Sequence, residues 1–358
     1  MPDREALSDE VSAALRPYVA SGELPGGAYC AVRGGDVLLE VCAGTIDGER
    51  PWRPDTLVMC FSVAKPVAAL TTLAVMAEHG LGLDERVTEV WPEYGVAGKE
   101  ATTLRHLLRH AAGLYAFPPE AASLEPSDTS ALVSLLAASP PAHEPGAEFG
   151  EHAATYGHLL GEVVRRVAGE SLESRWARIA REAGWDLHLL VDEADEDRVA
   201  RVVPVADDWP SRYVDDPRWA PALVRLPALV DADFLNTRSW RTTPFAAINL
   251  HASARGIAAF HDDLLRPDGI IAGLLGSELF REYTSPQSIG HDLVLDRDVT
   301  WTLGHQLEND EIAMGGAGGC AGWSDLLGTY GGGWVTRGLG SWEPLDAIDA
   351  MIQTALRS

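Results

Sequence analysis

Of the 28 basic residues in this chain only two, Lys65 and Lys99, are lysines; the rest are arginines. Buried lysine can give up its proton, whereas arginine effectively cannot. Lys65 stands three residues after a serine, in Ser62-Val63-Ala64-Lys65. On a helix, positions i and i+3 share a face, so the amine can reach the hydroxyl. The apolar run 57–61 leads directly into such a helix, expected from 62 to about 79 and stopped by Gly80. Ser62 then sits at the positive end of the helix dipole, which favours a developing alkoxide. Pro66 is tolerated there because first-turn N–H groups have no intrahelical partner. Four residues thus supply a nucleophile, a neighbouring base and electrostatic help, which is the chemistry of serine acyl transfer. The plainer alternative is a helix-capping serine beside a surface lysine.

The elements around this pair come from periodicity and punctuation. Residues 4–20 carry an amphipathic helical pattern. Runs 28–32 and 37–43 flank Gly34-Gly35-Asp36, a hairpin signal. Further helices are expected at 103–110, 129–137, 156–168, 249–265 and 344–356. Strand-like pieces punctuated by glycine lie at 301–303, 312–314, 319–323 and 334–336. The stretch 186–233, rich in Asp and Pro, reads as a long excursion that shapes a pocket. Strands at both ends with helices between them suggest one sheet completed by both termini. Residues 1–61 and 256–358 would form a sheet-containing lobe and 62–255 a mainly helical one, with the site between them.

The chain has 358 residues, 46% of them hydrophobic, and a formal net charge of −25. Such a charge repels phosphate backbones and anionic membranes, so neither nucleic acid nor a membrane surface is an expected partner. No basic segment followed by an apolar stretch opens the sequence, and no run approaches 18 apolar residues, so a cytoplasmic protein without leader or membrane span is expected. Cys30, Cys42, Cys60 and Cys320 show neither CxxC nor Cys/His spacing. No zinc, disulfide framework or other cofactor is therefore expected.

An ordered series of segments surrounds the Ser/Lys pair. Pro54-Asp55-Thr56 precedes Phe61-Ser62-Val63-Ala64-Lys65. Then come Leu83-Asp84, Val90-Trp91-Pro92-Glu93 and Ala97-Gly98-Lys99-Glu100. After them lies Leu104-Arg105-His106-Leu107-Leu108-Arg109-His110-Ala111-Ala112-Gly113-Leu114. Trp240-Arg241, Asn249, His251 and Ala254-Arg255 complete the series. From about Gly26 onward this resembles the serine β-lactamase-like superfamily. The likeness is greatest to its esterase branch, related to class C β-lactamases and family VIII carboxylesterases. The resemblance implies an α/β (α+β) fold of the β-lactamase/penicillin-binding-protein type, an antiparallel sheet flanked by helices with an inserted helical lobe. It implies that Ser62 attacks an ester or amide carbonyl to form an acyl-enzyme, which water, an alcohol or an amine resolves. It also makes Lys99 a structural position; His106 and His110 are read as structural too.

Two positions depart from the family pattern. Ten residues before Gly161, where the resemblance places the tyrosine of a Tyr-His-Ala motif, stands Glu151. A carboxylate beside Lys65 can accept or relay a proton in its place. Tyr156 is the alternative carrier of the tyrosine role, and His152 a lesser candidate. In Met314-Gly315-Gly316-Ala317-Gly318-Gly319, Met314 stands in for the histidine of a His-Gly-Gly segment. That loss argues against a substrate with a free carboxylate, unless Arg255 or Arg241 supplies the cation. The oxyanion hole is expected from the Ser62 N–H and the backbone near Gly316, Gly319 and Cys320. Tryptophans of the 209–240 region are candidates to line an apolar pocket.

These residues suggest a hydrolase or acyltransferase for a small ester, thioester or amide. One alternative is an ATP-independent transacylase making an amide or ester in natural-product, such as antibiotic, biosynthesis. Another is a catalytically degenerate small-molecule binding protein. The oligomeric state stays open.

Overall fold

The computed structural model describes residues 4–223 and 225–357; Met1–Asp3, within the stretch read for a leader, lie outside it. Both ends of the chain enter one eight-stranded antiparallel sheet. Its order is Asp36–Gly44, Gly26–Arg33, Tyr330–Thr336, Ala321–Asp325, Glu311–Gly315, Gln306–Glu308, Arg297–Trp301 and Ser288–Asp292. The first two strands form the expected hairpin, and the N–H groups of Gly34 and Gly35 donate to the Asp262 carboxylate at 2.8 and 2.9 Å.

Each face of the sheet is covered by helices whose apolar stripes the sequence dictates. Arg4–Ser21 buries Leu7, Val11 and Leu15, and Glu343–Arg357 buries Ile348 and Ile352. Together they pack on Tyr29, Trp323 and Trp334 of one face. On the other face lies the helix Ala254–Asp263, against Gly331 and Gly333. A Cβ at Gly331 would come within 2.2 Å of the Ala258 carbonyl oxygen, and one at Gly333 within 2.3 Å of that of Ala254. The glycines therefore let helix and strand touch backbone to backbone.

The helix that carries Lys65, Ala64–His79, runs through the main core; every residue from Ala64 to Met76 is buried. Thr71 and Thr72 are accommodated because their hydroxyls donate to the carbonyls of Val67 and Ala68 one turn back, at 2.8 and 2.9 Å. Gly80, at φ +68°, ends the helix where the sequence predicts. Contrary to the sequence reading, the stretch Phe61–His79 is long and apolar enough to cross a membrane. Here 83% of its apolar window is buried inside the fold.

Several other expectations need correction. The helix expected over 249–265 is divided. His251–Ala252 forms a short strand between Val58–Met59 and Leu187–His188, and Ser253 caps a helix that begins only at Ala254. The strand expected at 301–303 is Arg297–Trp301, and the one expected from 319 starts at Ala321, after a turn with Gly319 at φ +101°. Strands Ser288–Asp292 and Gln306–Glu308 and helices Leu172–Ala183 and Ile270–Thr284 were not anticipated. The excursion 186–233 consists of short turns of helix and strand, among them Ser211–Val214 and Trp219–Leu223.

Candidate active site

Ser62 lies in a single 3₁₀ turn, Phe61–Val63, between the strand Val58–Met59 and the core helix. Phe61 takes a left-handed φ of +49°, uncommon for an aromatic residue. Such strain concentrates where a functional group must be presented in one orientation. The end of the strand Glu311–Gly315 closes over this turn. Gly316 permits it, since a Cβ there would meet the Cys60 carbonyl oxygen at 2.2 Å.

Lys65 Nζ lies 2.7 Å from Ser62 Oγ and 2.9 Å from Glu151 Oε1. The Lys65 side chain is fully buried and that of Glu151 is 5% exposed. Burial lowers the Lys65 pKa, and the Glu151 charge and hydrogen bond oppose that shift. The 2.7 Å contact serves either proton arrangement: an ammonium donates to Oγ, and a free amine accepts the hydroxyl proton. Glu151 is itself held from below, its backbone N–H donating to Asp292 Oδ1 at 3.1 Å. The same oxygen accepts from the N–H groups of Val294 and Leu295, each at 2.9 Å, and Asp292 Oδ2 accepts from Trp301 Nε1 at 2.9 Å.

Ser62 and Glu151 line a cavity of about 220 Å³. Its walls are mainly apolar, built by Phe61, Trp219, Leu223, Leu229, Val230, Ile248, Leu295, Met314 and Trp342. Of the tryptophans in the 209–240 region, Trp219 reaches this cavity. Trp209 packs edge-on against Phe61 behind it, and Trp240 is buried beside Met59. A larger groove of about 800 Å³, bordered by Trp91, Val133 and Arg166, contains none of the Ser62, Lys65 and Glu151 side chains.

Four residues expected at the site are engaged elsewhere. His152 is fully buried; its ring nitrogens contact the Gly150 carbonyl at 2.9 Å and the Leu114 N–H at 3.3 Å. Burial pushes its pKa down to about 3, which keeps the ring neutral. The Tyr156 hydroxyl donates to the Leu108 carbonyl at 2.8 Å, inside the core. Gly319 and Cys320, expected as backbone donors, do not line the cavity; the Gly319 N–H donates to the Gly316 carbonyl at 2.9 Å, and the Cys320 thiol lies against the Met59 and Thr336 carbonyls. Gly316 and Met314 do line the cavity. So does Ala317, which the sequence reading did not single out. Ser62 and Ala317 both line the cavity, which makes their backbone N–H groups the candidate oxyanion donors.

Other contributors come from distant loops. Tyr213 lines the cavity and donates its hydroxyl to the Ala317 carbonyl at 3.1 Å. Arg297 and Gln306 line it from the sheet. The two arginines considered as cations are spent elsewhere: Arg255 pairs with Glu40, and Arg241 with Glu196 at 2.6 Å. His106 completes a capping box with Thr103, and the buried His110 ring packs on Trp301 at 4.3 Å between centroids. Among the described residues no group of three or more His, Cys, Asp or Glu side chains is placed to hold a metal ion, and all four cysteines are free.

Comparison with known proteins agrees with this architecture. The family model described as Beta-lactamase matches residues 11–341. The esterase/β-lactamase LipL of Mycobacterium tuberculosis is 32% identical over 188 residues, which cover 51% of this chain and 43% of that protein. The chain thus matches less than half the length of that curated relative. A penicillin-binding protein homologue from Caulobacter crescentus is 27% identical and superposes with a TM-score of 0.82, covering 99% of this chain and 98% of that one. A family VIII carboxylesterase is 28% identical, with a TM-score of 0.80 and 97% of each chain covered. With its fold and its family match over most of its length, this chain belongs to the β-lactamase family.

Proposed function

We propose that the protein is a serine acyl hydrolase or acyltransferase that acts on a small ester, thioester or amide through a Ser62 acyl-enzyme. The observation that carries this reading is the continuous contact from Ser62 Oγ through Lys65 Nζ to Glu151 Oε1 at the wall of an apolar cavity. The esterase names of its relatives point the same way.

Lys65, as the free amine, takes the Ser62 proton as Oγ bonds to the acyl carbon, and Glu151 beside it stabilises the ammonium that forms. The backbone N–H groups of Ser62 and Ala317, two residues of the cavity wall, are the proposed donors to the oxygen on which negative charge develops. As the tetrahedral adduct collapses, the Lys65 ammonium gives that proton to the leaving group, which departs as an alcohol, thiol or amine. In the second half the Lys65 amine takes a proton from the incoming water, alcohol or amine as it attacks the acyl carbon, and returns it to Ser62 Oγ as the acyl–oxygen bond breaks. Each proton is accounted for and Lys65 ends as it began. The apolar lining of the cavity favours a second reading, in which water is a poor acceptor and an alcohol or amine captures the acyl group. A dedicated biosynthetic transacylase would behave in this way.

Intact-mass spectrometry after exposure to p-nitrophenyl acetate and to a fluorophosphonate tests the proposal. One adduct is expected on the wild type and none on Ser62→Ala. No adduct on folded wild-type protein would sink it in favour of a binding protein. Glu151→Gln is expected to slow turnover by about 10²-fold or more. Because Glu151 opposes the burial that lowers the Lys65 pKa, its removal lowers that pKa further. The amine then stays neutral to lower pH, so the acid limb of acylation moves down in Glu151→Gln.

A further inference from the structure

The walls of the Ser62 cavity contain two charged side chains, and they differ in how firmly they are committed. Glu151 is buried and engaged by Lys65. Arg297 is 45% exposed and uses its guanidinium lightly. It donates to Gln306 Oε1 at 2.7 Å and to Glu308 Oε2 at 3.3 Å, and Glu308 is itself 57% exposed. A guanidinium has five N–H donors, so several stay open to a ligand. Gln306, the side chain that braces it, lines the same cavity.

Building on the acyl-enzyme reading, we infer that Arg297 is an anion subsite and that the preferred acyl donor carries a carboxylate at the far end of an apolar acyl chain. The cavity is polarised for such a molecule. Glu151 repels an anionic group, whereas Arg297 offers the planar fork that carboxylates accept in pairs. The rest of the lining, with Trp219, Leu223, Leu295, Met314 and Trp342, is mainly apolar and suits methylene groups. A cation kept at this wall is notable in a chain of net charge −25, whose overall field disfavours anionic ligands unless a local site receives them. The inference also amends what Met314 alone suggests: the cation is absent from that position, but one stands on a neighbouring part of the sheet.

The test compares two esters of equal chain length, mono-p-nitrophenyl adipate and p-nitrophenyl hexanoate. The wild type is expected to favour the adipate by about tenfold in kcat/KM at low salt, the scale of one charge-assisted contact at a half-exposed site. The ratio should fall toward one in Arg297→Met and at about 1 M salt, where the screening length is about 3 Å. Arg297→Lys should keep part of the preference, since it retains the charge and loses the fork. An equal ratio in the wild type, or an unchanged one in Arg297→Met, overturns the subsite while leaving Ser62 acylation intact. Should neither ester turn over, calorimetry of the wild type with monomethyl adipate and methyl hexanoate decides. Tighter adipate binding that disappears in Arg297→Met would uphold the subsite without the chemistry, and equal binding would overturn it.

Discussion

The two lysines of this chain are both buried, yet they sit in opposite chemical situations. Lys99 Nζ donates to the carbonyls of Val96 and Ala137, each at 3.0 Å, and to that of Ser139, and it lies 5.2 Å from the centre of the Tyr94 ring. Three donors meet three fixed acceptors, none of which can take a proton. Two of those carbonyls belong to the C-terminal end of the helix Thr129–Ala138, where a cation is favoured. Lys65 instead meets a hydroxyl and a carboxylate, and both of those residues open onto a cavity. Burial lowers the pKa of both amines. Burial therefore does not make a lysine reactive by itself; titratable partners and access to a ligand do.

Replacing the amine at position 65 tests this contrast most severely. In Lys65→Arg the charge survives but the ability to accept a proton does not. Acylation by p-nitrophenyl acetate is expected to fall by about 10³-fold or more, read from stopped-flow bursts or adduct growth by mass. Near-wild-type acylation in Lys65→Arg would show that the residue supplies charge alone, and the distinction from Lys99 would collapse.

The converse change is Lys99→Met, which keeps the bulk and leaves three carbonyls, one buried and two part-buried, without this donor. The expected loss is about 2–4 kcal/mol of stability, measured by denaturant unfolding. The kcat/KM of the protein that remains folded should stay within about twofold. A variant that unfolds normally but no longer acylates would mean that Lys99 reaches the chemistry after all.

The sequence exposes these two lysines unequally because of distance along the chain. Ser62 and Lys65 are one helical turn apart, so their meeting is a local matter, and the scarcity of lysine draws the eye to them. Glu151 is legible only through its spacing from Gly161 in the family pattern. His152 and Tyr156, so close to it in sequence, turn inward because Gly150, Leu114 and Leu108 present backbone groups that need partners. Tyr213, Arg297 and Ala317 come from separate loops and strands, and no spacing announces that they converge. In the fold, the buried strand Tyr330–Thr336 and the stripes of the terminal helices are readable. The edge strand Ser288–Asp292 is not, since Ile289 and His291 are exposed and give no apolar alternation. The helix Leu172–Ala183 could have been found: Leu172, Trp176, Ile179 and Ala180 recur at helical spacing behind a Ser171 cap.

The smallest predicted effect concerns how the carboxylate on the Lys65 side is held. Asp292 accepts four hydrogen bonds, one of them from the Glu151 backbone, and so ties that segment to the outer strands of the sheet. An asparagine offers one accepting oxygen and one donating nitrogen, so Asp292→Asn sets a donor against either Trp301 Nε1 or the cluster of backbone N–H groups. The Glu151 carboxylate then meets Lys65 less well. A fall in kcat of about tenfold is expected, with KM little changed, because Asp292 touches neither the cavity nor a ligand. Some stability is lost as well, but that loss does not discriminate. The discriminating observation is the acid limb of acylation, which should move to lower pH as it does in Glu151→Gln, only less far. If Asp292→Asn lowers the melting temperature and leaves that limb in place, Asp292 supports the fold alone, and the Lys65–Glu151 contact owes its geometry to other residues.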